Sequence, residues 1–222
     1  MRIKGLLAFC FTLLLFSCYA FAAEKVALVG GGAKGLSAWQ TGYTNWALEN
    51  GVLILKDRTD GKEHNYNYLW TKDQYENFVL DFEFFVDPSA NSGVFIRTSD
   101  LNDPVYSGLE IQVGIADPSR PIRKNSMGAI YDLVAPSGHA MKIGEWNQMR
   151  IRCEGSRVQV DVNGKRLSEA ELSQWVVAGQ SPDGTKNKFK RPIAEYAHKG
   201  YIGLQDHGTP VQFRNMVLTR LP

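Results

Sequence analysis

The stretch Asn77–Asp100, NFVLDFEFFVDPSANSGVFIRTSD, decides how the rest of the chain is read. Phe78, Leu80, Phe82 and Phe84 alternate with Val79, Asp81, Glu83 and Phe85; further on, Val94 and Ile96 alternate with Phe95 and Arg97. Successive strand residues point to opposite faces, so the pattern predicts two strands, each with an apolar face and a face carrying acid or base. The Pro-Ser-Ala-Asn-Ser-Gly segment at 88–93 reads as a turn joining them into a central hairpin. Their polar face is the candidate working surface.

The same alternation recurs on both sides. Lys25–Val29 and Val52–Leu55 are short strand candidates, and within 105–115 Leu109, Ile111 and Val113 oppose Glu110 and Gln112. Gly128–Val134 reads as a short strand carrying Tyr131. Trp146–Cys153 and Arg157–Val162 form a hairpin over Glu154-Gly155-Ser156, and Asn163-Gly164 is a strong signal for a second tight turn. In Gly200–Gly208, Gln205 and His207 share one face while Ile202 and Leu204 share the other; Val211–Leu218 is the last strand. Ser168–Gln174 is the one helical candidate, with Ser168 as N-cap and Glu171 completing a capping box. Many short strands, turn signals every eight to twelve residues and little helix predict an all-β, two-sheet antiparallel sandwich.

The beginning of the chain does not belong to that fold. Arg2 and Lys4 precede an apolar run from Gly5 to Phe16, and Ala20-Phe21-Ala22 fits a signal-peptidase site. Residues 1–22 are therefore expected to be a signal peptide and 23–222 a single mature domain, exported to the periplasm or secreted. The alternative is a lipoprotein anchored through Cys18, against which the bulky Phe16 counts. Without Arg2 and Lys4 the 25 basic residues fall to 23 and match the 23 acidic ones. A neutral chain argues against a general nucleic-acid binder. Cys153 is then the only mature cysteine unless Cys18 is retained, so no internal disulfide or cysteine metal cluster can form. Its alternation with Met149 and Ile151 makes it a core thiol. Gly30-Gly31-Gly32-Ala33-Lys34-Gly35 has the Gly-x-Gly-x-x-Gly spacing but opens no helix, and it reads as a loop.

One polar face from each strand collects Asp81, Glu83, Arg97, Glu110, Gln112, Gln205 and His207, with Tyr131 nearby. Ordinary solvated faces favour Lys, Thr and Ser. Planar amides and carboxylates interleaved with aromatics such as Phe85 and Phe95 suit a groove that binds a sugar. Asp81 and Glu83 also share a strand face, at a spacing compatible with the paired carboxylates of a glycosidase, about 5–5.5 Å apart for retention. His64, His139, His198 and His207 are scattered, so no metal motif stands out. A divalent ion becomes an option if Glu110, His207 and a neighbouring acid converge. The loop 178–196 is basic through Lys186, Lys188, Lys190 and Arg191, by default a solvated run.

Several strings fall in a characteristic order: Asn91-Ser92-Gly93-Val94-Phe95-Ile96-Arg97, Gly108-Leu109-Glu110-Ile111-Gln112, Gly128-Ala129-Ile130-Tyr131, Gly144-Glu145-Trp146-Asn147, Val162-Asn163-Gly164 and Gly203-Leu204-Gln205-Asp206-His207-Gly208. From about Leu36 onward the chain resembles the 3-keto-disaccharide hydrolase (3-keto-glycoside hydrolase) domain family. The resemblance implies a concanavalin A-like lectin/glucanase jelly roll and an exported protein acting on sugars oxidised at C3, downstream of a sugar 3-oxidoreductase. A C3 ketone makes the C2 hydrogen acidic and the C1 substituent a leaving group. The expected roles are His207 or Glu110 as base, Arg97 or a cation against the enolate, and Glu83 as acid. Asn91, Gln112, Tyr131, Gln205 and Asp81 would bind the sugar. No cofactor is identified. The alternatives are a non-catalytic carbohydrate-binding module and an ordinary two-carboxylate glycosidase on Asp81 and Glu83.

Overall fold

The computed structural model describes residues 23–30, 32, 35–40, 45–56, 67–88, 90–114 and 119–222. The signal-peptide and Cys18 readings, His64, and part of the 30–35 loop lie outside them. In chain order the strands are β1 (Lys25–Val29), β2 (Trp46–Glu49), β3 (Val52–Leu55), β4 (Asn67–Trp70), β5 (Phe78–Val86), β6 (Asn91–Thr98) and β7 (Leu109–Gly114). They continue as β8 (Asn147–Glu154), β9 (Arg157–Val162), β10 (Lys165–Glu171), β11 (Tyr201–Asp206) and β12 (Val211–Arg220). The larger sheet runs β10-β9-β8-β5-β12-β3-β2, with β1 also on β12; the smaller runs β4-β11-β6-β7. Every pairing is antiparallel. The result is the two-sheet jelly-roll sandwich expected from the sequence. Among the described residues no helix is long and apolar enough to cross a membrane.

The core lies between the sheets. Phe78, Leu80, Phe82, Phe84 and Val86 of β5 are all buried, and with Ile151 of β8, Val160 of β9 and Phe213 of β12 they face Val94, Ile96, Ile111, Ile202 and Leu204 of the small sheet. Burying such a side chain contributes about 1.5–3 kcal/mol. Cys153 is fully buried, and burial pushes its thiol up to about 12, as a core thiol requires. The Asn163-Gly164 turn forms as read, both residues having positive φ (49° and 78°), the backbone of a primed hairpin turn.

Three sequence expectations are corrected. First, β5 and β6 are not a hairpin: β5 pairs with β8 and β12, β6 with β7 and β11. The turn between them crosses from one sheet to the other, because both strands present an apolar face to the same core. Their polar faces therefore lie on opposite sides of the molecule. Second, Ser168 is a strand residue of β10, where its hydroxyl donates to the Gly128 carbonyl at 2.7 Å; only Leu172–Gln174 is helical, as one 3-10 turn. Glu171 accepts from Ser156 and Ser173 instead of closing a capping box. Third, the 128–134 segment makes one isolated bridge to β7, Ile130 to Ile111, and one within itself, Ile130 to Val134, rather than a regular strand.

Arg97 sits in a bulge of β6. Two residues, Ile96 and Arg97, oppose Ile202 of β11, and Arg97 adopts φ 54°. The bulge turns its side chain off the sheet's outer row. The guanidinium, 2 % exposed, donates to the Glu76 carbonyl (3.2 and 3.0 Å) and to the Gly155 carbonyl (2.7 Å), tying β6 to the chain ahead of β5 and to the β8–β9 turn. Arg97→Met strands both carbonyls. It is expected to destabilise the fold by about 2–4 kcal/mol in urea unfolding while the folded fraction keeps its turnover. A loss of turnover with unchanged stability would return Arg97 to the chemistry.

Candidate active site

The outer face of the small sheet is assembled by register. Trp70 lies opposite Gly203, Gly203 opposite Phe95, and Phe95 opposite Glu110, one row across four strands. In the neighbouring row Tyr68 lies opposite Gln205 and Gly93 opposite Gln112. Two glycines shape this face. A Cβ on Gly203 would press into the Trp70 ring, 2.7 Å from Cη2 and closer still to Cε3 and Cζ3. A Cβ on Gly93 would lie 2.8 Å from Glu110 Cγ and closer to Oε1. The indole therefore lies across β11 and the Glu110 side chain across β6, both held low over the sheet. Tyr68 stacks on Trp70 (4.9 Å, 26°) and meets Phe95 edge-on (4.9 Å, 77°). These three rings form a second small core, flanked by Leu101 and Tyr201.

Beside the rings opens a cavity of about 260 Å³, at the lower end of ligand-site volumes and suited to one sugar ring. Glu110, Gln112, Gln205, His207, Asn91, Tyr131 and Lys188 line it, with Tyr68 and Val105. Several are fixed from behind. The Gln112 amide donates to Asn91 Oδ1 (2.9 Å) and to the Ser92 carbonyl (3.2 Å); the Asn91 main chain is clasped on both sides by the Thr209 hydroxyl. Asp206 accepts from the Gly208 amide (2.9 Å) and from Asn45 Nδ2 (2.7 Å), which sets the turn that carries His207 just past the end of β11. Gln205 is 6 % exposed, and its side-chain oxygen is buried without a hydrogen-bond partner. Such an acceptor costs about 1–3 kcal/mol unless a ligand supplies a donor.

Glu110 is 8 % exposed, and burial raises its carboxyl to about 7, against the pull of the Lys188 charge. Lys188 is displaced the other way: burial lowers its ammonium, opposed by Glu110 and Asp132. A carboxyl poised near neutrality in a cavity lined with amides is what proton transfer at a carbon acid requires.

Of the nine residues expected at the site, Glu110, His207, Asn91, Gln112, Tyr131 and Gln205 meet here. Arg97, Glu83 and Asp81 do not. Asp81 and Glu83 lie on the outer face of the large sheet, across the core from Glu110. Asp81 is bidentate with Arg150 (2.5 and 3.2 Å). Glu83 accepts from Asn215 (3.0 Å) and Arg214 (2.7 Å), which hold its carboxyl below the usual range. Their hollow is larger, about 660 Å³, but its acids and arginines are already paired with one another, including Asp161 with Arg166. Among the described residues no group of three or more His, Cys, Asp or Glu gathers that could hold a metal, so the acid needed beside Glu110 and His207 does not converge.

Lys188 was hidden in a run read as solvated. Phe189 beside it is buried (2 % exposed), edge-on to Tyr196 at 5.9 Å, but Lys190 flanks the same phenyl, so the sequence held no signal that singled out Lys188.

Residues 27–219 match the 3-keto-alpha-glucoside-1,2-lyase-like domain. A 3-keto-disaccharide hydrolase of Bacteroides thetaiotaomicron is 27 % identical over 202 residues, 78 % of this chain and 69 % of that protein. A Parabacteroides distasonis protein provisionally assigned as a glycosyl hydrolase superposes with a TM-score of 0.76 at 32 % identity, covering 89 % of this chain and all of that one. A second protein of that organism superposes at 0.69 with 19 % identity, covering 89 % and 94 %, a likeness of fold. With the match spanning nearly the whole sandwich, the chain belongs to the 3-keto-alpha-glucoside-1,2-lyase-like domain family.

Proposed function

We propose that this protein cleaves the glycosidic bond of 3-keto-glycosides or 3-keto-disaccharides at the outer face of the small sheet, by elimination and then hydration. The observation that carries the reading is Glu110: a buried carboxyl with a pKa of about 7 in a cavity sized for one sugar ring. Family membership and the name of the Bacteroides relative support the sugar chemistry.

Glu110 removes the C2 proton, and the C2–H electrons form the enolate with the C3 oxygen. The enolate then collapses, forming C1=C2 and breaking the bond from C1 to the glycosidic oxygen. His207 gives that oxygen its proton. Water adds to the enone, hydroxyl to C1 and proton to C2, which yields the free 3-keto sugar. Gln205, whose oxygen awaits a donor, holds ring hydroxyls with Gln112, Asn91 and Tyr131. The substrate must come from an oxidation at C3, so a sugar 3-oxidoreductase acts first. Export is part of the reading: the mature protein from its own cells should begin at Ala23, and a lipidated Cys18 would contradict that.

Matched 3-keto and unoxidised disaccharides, each with and without chelator, test the proposal. Release from the keto sugar alone is expected, and the chelator arm reads whether a divalent ion takes part. Binding of both without release would show a carbohydrate-binding module instead. Asp81→Asn and Glu83→Gln should each leave turnover within about twofold, since removing an exposed ion pair changes stability by at most about 1 kcal/mol. Turnover of an unoxidised nitrophenyl glycoside that either change abolishes would establish the two-carboxylate reading.

A further inference from the structure

With Arg97 committed to main-chain carbonyls, the enolate needs another positive partner. The geometry points to Lys188: its side chain lines the same cavity as Glu110, with the ammonium over the Tyr131 ring at 4.3 Å, and we infer that it is the catalytic electrophile at the C3 oxygen. The inference rests on the C2-deprotonation reading above.

Three contacts deliver this side chain. The Lys188 amide donates to Asp132 Oδ2 at 2.5 Å, and Phe189 anchors the next position in the core. Lys124 Nζ donates to the hydroxyls of Ser181 (3.1 Å) and Thr185 (2.8 Å), docking the rest of the loop on the segment beside β7. Among the described residues, the basic side chains lining the cavity are Lys188 and His207, and the mechanism uses His207 at the leaving group. Glu110 and Lys188 thus stand as a base and an acid on the two atoms that change charge together. As Glu110 takes the C2 proton, electron density arriving at the C3 oxygen is met by a Lys188 N–H. When the enolate expels the C1 oxygen, the carbonyl re-forms and the ammonium keeps its proton. A fixed donor aimed at developing charge in a dry site is worth about 10²–10³ in rate.

Among the described residues, the titratable groups around Lys188 are Tyr68 from β4, Glu110 from β7, Tyr131 and Asp132 from the 128–134 segment, and His207 just past the end of β11. Its charge holds Glu110 down, and burial lowers its own pKa. The wild-type profile should therefore rise near pH 7 as Glu110 ionises and fall at higher pH as the proton donors of the site are lost. Lys188→Met should lower kcat about 100-fold with KM within about threefold. It should also move the rising limb to higher pH, because the Lys188 charge no longer holds Glu110 down. Lys188→Arg should restore part of kcat and bring the rising limb back toward its wild-type position, since guanidinium stays charged. A loss through mere loop loosening would raise KM and leave the rising limb in place, and that result overturns the assignment. So does a wild-type kcat in the Met variant, whose rising limb decides the matter even if arginine is too large to fit. If the wild type cleaves no 3-keto glycoside, the parent reading fails. If it cleaves with solvent deuterium entering C2 while Lys188→Met is unaffected, only the role of Lys188 fails.

Discussion

Glu110→Gln should cost about a thousandfold in turnover and, above pH 7, make the protein more stable. The rate loss follows from removing the one buried carboxyl that lines the cavity among the described residues, general-base catalysis being worth about 10²–10⁴. The stability gain follows from linkage. The Glu110 pKa is raised from 4.5 to about 7 in the folded protein, so the folded state holds its proton more tightly than the unfolded chain. Stability is then lost as pH rises from about 4.5 to about 7, and stays lost above that. The full loss is about 3 kcal/mol, at about 1.4 kcal/mol per pKa unit, and an uncharged amide of the same shape escapes it. Urea unfolding should show the variant about 1–3 kcal/mol more stable at pH 8 and indistinguishable near pH 4. Such a trade of stability for activity is common at catalytic groups. A variant less stable at pH 8 would mean that the carboxylate is held by favourable partners, which would end its role as a poised base.

Gly93→Ala should lower kcat about 100-fold without touching the substrate. The added methyl takes the space in which Glu110 lies across β6, its Cγ as well as its carboxylate. Displacing a catalytic group by about 1 Å commonly costs about 10²-fold. The discriminating readout is pH: a Glu110 pushed toward solvent loses the burial that raises its pKa, so the rising limb should move down from about 7 toward the ordinary carboxylate value. Stability should change little, because the clash falls on a side chain able to swing away. An unchanged limb with unchanged kcat would show that Glu110 works from another position. Gly203 makes the contrasting case, since a methyl there meets the buried Trp70 ring, which cannot move aside, and unfolding rather than a limb shift is expected.

How much of this was legible in the sequence depended on whether the needed information was local. The strand alternation at 78–85, 109–113 and 200–207 correctly gave inward and outward positions, because period 2 follows from the backbone alone. Six of the nine expected site residues do share one face. Which sheet a strand joins is not local, and the short turn at 87–90 looks the same whether it closes a hairpin or crosses the core. That one ambiguity put Asp81 and Glu83 on the wrong side. Arg97 failed for a different reason: it keeps the right alternation with Phe95, but a one-residue bulge turns it aside, and nothing in the sequence marks that bulge. Ser168 and Glu171 have the spacing of a capping box, yet the strand pairing of β10 with β9 outweighs that local signal. Lys188 lay in a basic run, and nothing local distinguishes it from Lys186 and Lys190; the fold of the loop against the cavity does.

The central claim is that a proton leaves C2 to a buried Glu110. It is tested most directly by running the reaction in heavy water and reading C2 of the early product by NMR, against a no-enzyme control. The account predicts deuterium at C2 in step with cleavage for the wild type, and neither cleavage nor exchange for Glu110→Gln. Product released with its original C2 hydrogen, or unimpaired exchange in that variant, would contradict it.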